Sequence, residues 1–128
     1  MTLTRSTKPF KNSPVETITL DAAGKRVGRL ATSIATHLRG KHSASFTGNQ
    51  MPRTKVIVIN ASQVTFNDTG MRLKQYRTYT GYPGGARYVK ASEVLAKNPA
   101  KVIRLAVERM LPRNHQRALQ LRHLTITK

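Results

Sequence analysis

Val56-Ile57-Val58-Ile59 is continuously apolar and β-branched rather than alternating. That pattern suits a strand buried on both faces, as in a parallel sheet covered by helices. Upstream, Val15-Glu16-Thr17-Ile18-Thr19-Leu20 alternates apolar and polar residues and reads as a first strand, closed by the turn Asp21-Ala22-Ala23-Gly24. Between the two strands a helix fits Val27 to Arg39. Leu30, Ala31, Ile34, Ala35 and Leu38 recur there at helical spacing and form one apolar face. Gly40 stands where a helix-ending glycine belongs. Lys41 to Lys55 reads as a polar, basic loop.

Downstream, Asn60-Ala61-Ser62 breaks the apolar strand, and Gln63-Val64-Thr65-Phe66 suits another short one. Asn67-Asp68-Thr69-Gly70 has the composition of a turn. Tyr76 and Tyr79 hint at extended structure within Met71 to Thr80. Gly81-Tyr82-Pro83-Gly84-Gly85 is a loop with cations on both sides. Ser92 suits an N-cap for a short helix, Glu93 to Lys97. Asn98-Pro99 opens another helix, with a cap residue followed by proline at the first position. Val102, Ile103, Ala106, Val107 and Met110 form its expected buried stripe, and Pro112 stops it. Asn114 to Arg122 suits a last helix and Leu124 to Thr127 a last strand. This order predicts one α/β domain, 15–128, around a mostly parallel sheet.

Charge bounds the function. The chain has 23 Lys+Arg against 5 Asp+Glu, a formal net charge of +18 on 128 residues. A body so charged repels itself, and a polyanion relieves the repulsion. The acids Glu16, Asp21, Asp68, Glu93 and Glu108 stand apart, so no carboxylate pair is ready for acid–base or metal chemistry. His37, His42, His115 and His123 lack metal-ligand spacing. No enzyme activity, cofactor or metal is expected. With no Cys, disulfides and thiolate sites are excluded. No apolar run approaches the roughly 20 residues of a membrane helix. The basic segment 1–14 reads as a flexible arm that orders on its partner rather than as a targeting peptide.

Three cationic groups are the candidate contacts. Gly24-Lys25-Arg26-Val27-Gly28-Arg29 lies between a strand and a helix but matches neither the P-loop nor the dinucleotide fingerprint. Its glycines suit a tight turn with close strand–helix packing. Lys25, Arg26 and Arg29 are left as cations at a helix start, placed for phosphates. Arg39, Lys41 and His42 form a second corner, whose plain alternative is a solvated helix end with dipole-favoured cations. Around Gly81, Gly84 and Gly85, tyrosines interleave with Lys74, Arg77, Arg87 and Lys90. Aromatic rings there, Tyr79 among them, suit stacking on unpaired bases, while others of the four tyrosines serve the core. Arg109, Arg113 and Arg117 crowd the C-terminal quarter with no acid after Glu108. Arg113 and Arg117 are expected four apart on one helical face.

Several blocks together resemble the bacterial large-subunit ribosomal protein thirteen family. Asp21-Ala22-Ala23-Gly24-Lys25-Arg26-Val27-Gly28-Arg29-Leu30-Ala31 looks like its N-terminal signature. Leu38-Arg39-Gly40-Lys41-His42, Val56-Ile57-Val58-Ile59-Asn60-Ala61, Tyr79-Thr80-Gly81-Tyr82-Pro83-Gly84-Gly85 and Ala106-Val107-Glu108-Arg109-Met110-Leu111-Pro112 resemble later blocks, in family order. The resemblance implies a three-layer α/β/α domain. It also implies a structural role without catalysis: binding large-subunit ribosomal RNA early in assembly, beside neighbouring large-subunit proteins, in the ribosomes of the cytoplasm or an organelle. The chain departs from the family at Arg109, where glycine is usual, and at Asn114-His115-Gln116, which replaces a glycine-rich stretch. A histone-like, DNA-compacting protein is the alternative that composition allows. The irregular glycine loop and the lack of a dimer-type helical array stand against it.

Overall fold

A computed structural model describes residues 15–44 and 46–128, so the expected basic arm lies outside the described residues. The chain runs β1 (Glu16–Asp21), α1 (Val27–Leu38), β2 (Thr54–Ile59), a 3-10 turn (Ala61–Gln63), α2 (Asp68–Leu73), β3 (Gln75–Tyr79), β4 (Ala86–Lys90), α3 (Ala91–Lys97), α4 (Pro99–Met110), α5 (Gln116–Arg122) and β5 (Leu124–Ile126). β2 is the centre of a parallel sheet ordered β1-β2-β5, and β3 and β4 form a separate antiparallel hairpin. The expected α/β domain with a mostly parallel sheet is therefore present.

Register explains where the core sits. Ile18 and Leu20 stand beside Val56 and Val58 in β2, and Leu124 and Ile126 flank the same two residues on the other side. This row forms the inner face of the sheet. α1 lays Leu30, Ala31, Ile34 and Leu38 over it, and α4 adds Val102, Ile103 and Val107; all are buried. Fully burying one such side chain is worth ~1.5–3 kcal/mol. The two helices also pack on each other, and the Thr32 hydroxyl on α1 meets the Met110 sulfur on α4 at 3.5 Å.

The second face corrects the expectation of a strand buried on both sides. Lys55 and Ile59 of β2 are exposed, and Ile57 is half-buried. Their cross-strand neighbours Thr17, Thr19, Asp21 and Thr125 are also exposed. An apolar run can thus occupy a strand whose outer row is largely open among the described residues. β-branched residues favour the extended backbone whether or not both faces are covered.

Local chemistry explains other differences. Gln63–Phe66 is not a strand, because Asn60 takes a left-handed conformation (φ 57°) and turns the chain into the 3-10 turn. The Asn60 side-chain amide donates to Asp21 Oδ1 at 3.0 Å. Only Thr65 keeps a strand-like link, a parallel bridge to Arg26. The expected turn at Asn67–Gly70 instead opens α2: the Met71 N–H donates to the Asn67 carbonyl at 2.9 Å. α3 begins at Ala91 with Lys90 in the cap position, which places Ser92 inside the helix. Asn98 does cap α4, its side-chain oxygen accepting the Lys101 N–H at 3.2 Å, with Pro99 at the first position. Met110 is 42% exposed rather than buried, although the next residue, Leu111, is buried in the core. Arg113 and Arg117 do not share a helical face, since α5 starts only at Gln116. Asn114 forms the bend between them, its Oδ1 accepting the Arg117 N–H at 3.1 Å.

A candidate nucleic-acid interface

The start of α1 is set by backbone pairing. The Thr65 N–H donates to the Lys25 carbonyl at 3.0 Å and the Val27 N–H donates to the Thr65 carbonyl at 2.9 Å. This pins residues 25–27 and leaves Lys25, Arg26 and Arg29 exposed. No acid lies in the first turn and no side chain caps it. The close packing expected around Gly28 is absent, because a Cβ there would meet nothing within 4 Å.

That open space belongs to a groove of about 390 Å³ between the start of α1, α2 and the end of α4. Arg26, Arg29, Lys74 and Arg109 rim it, and Phe66, Ala106 and Met110 line it. The Lys74 ammonium stands 5.6 Å from the Phe66 ring centre and 5.7 Å from that of Tyr76. The Arg109 guanidinium stands 5.9 Å from the Tyr76 ring. Cation–ring attraction therefore holds two of the four cations in place. None of the four has a carboxylate partner among the described residues. Burial pushes the Tyr76 hydroxyl above its ordinary pKa, and the charge on Arg109 opposes that.

The other end of α1 is arranged differently. Gly40 is left-handed (φ 73°). Its N–H donates to the His37 carbonyl at 2.9 Å, and the Lys41 N–H donates to the Thr36 carbonyl at 3.1 Å. This is the Schellman pattern of helix ending. His42 pairs with Glu16 at 2.8 Å, and its ring lies 4.9 Å from that of His37. Lys41 is exposed and Arg39 half-buried. Burial, then the neighbouring His42, lowers the pKa of His37, while Glu16 acts the other way. Since α1 has 12 residues, its ends stand roughly 18 Å apart at ~1.5 Å per residue. The two cationic corners are separate.

The hairpin sorts the tyrosines. Tyr76 is buried, whereas Tyr79, Tyr82 and Tyr88 are 58%, 75% and 59% exposed. The even division expected between core and surface rings becomes one buried ring and three exposed ones. Register places Arg77 opposite Tyr88, Tyr79 opposite Ala86 and Gln75 opposite Lys90 on one face. The Arg77 guanidinium stands 5.7 Å from the Tyr79 ring. Arg87 pairs with Thr78 in the alternate row. Gly85 is required by the loop's own closure: a Cβ would strike the Thr80 hydroxyl and come within 2.9 Å of the Tyr82 carbonyl.

Of the residues singled out from sequence, the groove gathers Arg26, Arg29 and Arg109. Lys25 lies beside Arg26 in the chain but does not line the groove. Arg39, Lys41 and His42 lie at the far end of α1, and Tyr79, Gly81, Gly84, Gly85 and Arg87 belong to the hairpin. Arg113 is exposed and Arg117 half-buried around the Asn114 bend. Phe66 and Met110 carry no sequence sign of a lining role, and Lys74 stands out in the sequence only as a neighbour of the tyrosines. Among the described residues no cluster of three or more His, Cys, Asp or Glu side chains could hold a metal ion. No helix there is long and apolar enough to cross a membrane.

The profile of the family described as Ribosomal protein L13 matches residues 15–128. The chain belongs to this family. It is 45% identical over 106 residues to the large ribosomal subunit protein uL13 of Deinococcus deserti, covering 83% of this chain and 75% of that protein. It is 44% identical over 113 residues to the protein of the same name from Deinococcus radiodurans, covering 88% and 65%. A Caldicellulosiruptor bescii uL13 is 42% identical over 113 residues, covering 88% and 80%. The family match takes in both ends of α1, the groove and the hairpin.

Proposed function

We propose that this chain is a structural constituent of the large ribosomal subunit, where it binds large-subunit ribosomal RNA, meets neighbouring subunit proteins and supports early assembly. Family membership supports the ribosomal setting. The single observation that carries RNA binding is the groove, with four unpaired cations of one sign around it. Like charges brought together repel, and phosphates laid over them remove that cost while releasing condensed counterions. The hairpin adds a second surface of exposed rings between cations, suited to bases outside a duplex. The core underneath holds both surfaces in register.

The test is binding of the full chain to large-subunit ribosomal RNA fragments across a salt series. Neutralising ~6–10 phosphates lowers affinity roughly 10³–10⁵-fold between about 50 and 200 mM salt. A flat salt dependence, or equal binding to duplex DNA under competition, would count against the proposal. Co-sedimentation with large subunits in moderate salt tests the ribosomal setting independently.

A further inference from the structure

We infer that the groove between the start of α1, α2 and the end of α4 receives one unpaired nucleotide of the bound RNA, its phosphate among Arg26, Arg29 and Arg109 and its base against Phe66 and Met110. This rests on the RNA-binding reading above and adds to it a ligand class for one site. A duplex backbone presents phosphates on a convex surface. It is met by cations on a ridge or flat face and has no use for an apolar recess. Here the cations rim a concave site, and the recess between them is lined by a half-buried Phe66 and by Met110, 42% exposed at the end of its helix. The chemistry on offer is one anion binder and one apolar surface, side by side. A nucleotide joins those two features in one covalent unit, a phosphate and a planar ring.

Size and order agree with this. The groove's volume of about 390 Å³ lies within the ~300–1,000 Å³ usual for small-ligand sites. The space over the first turn of α1 is unfilled, since nothing lies within 4 Å of where a Gly28 Cβ would be. The Val27 N–H is already taken by Thr65, which leaves the next amides of that turn without a helical partner. Lys74 and Arg109 are held over aromatic rings at 5.6–5.9 Å before any ligand arrives. Less side-chain freedom is then lost on binding.

The experiment uses the full chain carrying isotopically labelled methionine methyl groups, titrated in dilute salt with AMP, UMP, ribose 5-phosphate and inorganic phosphate. The nucleotides are expected to bind about fivefold or more tighter than ribose 5-phosphate, the margin that base stacking supplies. The Met110 methyl signal is expected to shift under the base ring current. Arg109→Ala should weaken every phosphate-bearing ligand while leaving the circular dichroism spectrum unchanged. Met110→Ser should remove the nucleotide margin and keep phosphate binding. Equal affinity for AMP, UMP and ribose 5-phosphate, or a Met110 methyl that does not move, overturns the nucleotide site. If RNA fragments still bind with a steep salt slope in that case, the RNA-binding reading survives and this inference alone fails. If RNA binding is lost too, both fail.

Discussion

The two ends of α1 carry the same kind of residue and treat it in opposite ways. At the C-terminal end the helix closes on its own carbonyls through Gly40, and His42 finds Glu16 at 2.8 Å. At the N-terminal end no side chain caps the helix, and Arg26 and Arg29 are left beside Arg109 and Lys74 without a carboxylate. One end closes on its own backbone and sets an acid beside a histidine, while the other leaves its cations without either. Charge density alone does not separate them. What separates them is the backbone closure through Gly40 and the acid beside His42, since Lys41 itself has no ion-pair partner among the described residues.

The largest expected effect removes what both ends share. Ile34 is fully buried midway along α1, and Ile34→Ala should destabilise the domain by ~2–5 kcal/mol. Denaturant unfolding reads this directly. A loss under about 1 kcal/mol would mean that the site collapses around the cavity and that α1 does not hold the two ends rigidly apart.

The next effect strikes the self-contained end. A Cβ on Gly40 would sit 2.8 Å from the Pro52 Cβ at a φ of 73°. Gly40→Ala should therefore cost roughly 1–3 kcal/mol of stability through backbone strain. Because that end is the closed one, the salt slope of RNA binding should not change. A variant that folds normally yet binds RNA with a flatter slope would erase the contrast between the ends.

Arg29→Ala tests the open end. Its side chain is exposed and has no ion-pair partner among the described residues, so stability should stay within about 0.5 kcal/mol. RNA affinity should fall by about 1.5 kcal/mol in dilute salt, and the logarithmic salt slope by about one. Lys41→Ala is the matched control at the other end. If both lysine and arginine variants lose the same amount, the ends are equivalent as RNA contacts and the groove has no special standing.

The difference between the ends also shows what can be read from a sequence. The buried face of α1 was legible because Leu30, Ile34 and Leu38 repeat at the helical period, and Gly40 because a helix stop has its own residue preference. The strands β1, β2 and β5 were legible from β-branched runs. α2 was not, since Asn67-Asp68-Thr69-Gly70 suits a turn and a helix start equally, and six residues give no period to decide between them. The groove was not legible as a unit. Its cations come from Arg26 and Arg29, from Lys74 and from Arg109, three segments that only tertiary packing brings together. Phe66 carries no local sign of its place. Met110 fits the apolar stripe of α4, yet it lines the groove beside the buried Leu111, and periodicity does not tell a groove wall from a core.

The smallest effect returns to the closed end and concerns pH. Burial is the main cause that lowers the pKa of His37 below its ordinary value of 6.5, and its Nδ1 is buried without a hydrogen-bond partner. The folded state thus disfavours the charged imidazole. Stability from this group is fully present above 6.5 and is lost as pH falls from there through the lower folded value, because the unfolded chain binds the proton first. Nearby His42 deepens the effect and Glu16 opposes it. His37→Gln should therefore flatten the stability profile between about pH 7.5 and 5.5, read as denaturant midpoints, while Glu16→Gln should steepen it. The open end gathers Arg26, Arg29, Lys74 and Arg109 around a groove whose lining contains no histidine. Salt should consequently govern the N-terminal end of α1 and protons the C-terminal end. Identical pH profiles for His37→Gln and the parent chain would show that the histidine is solvated in both states, and the closed end would then contribute no acid sensitivity.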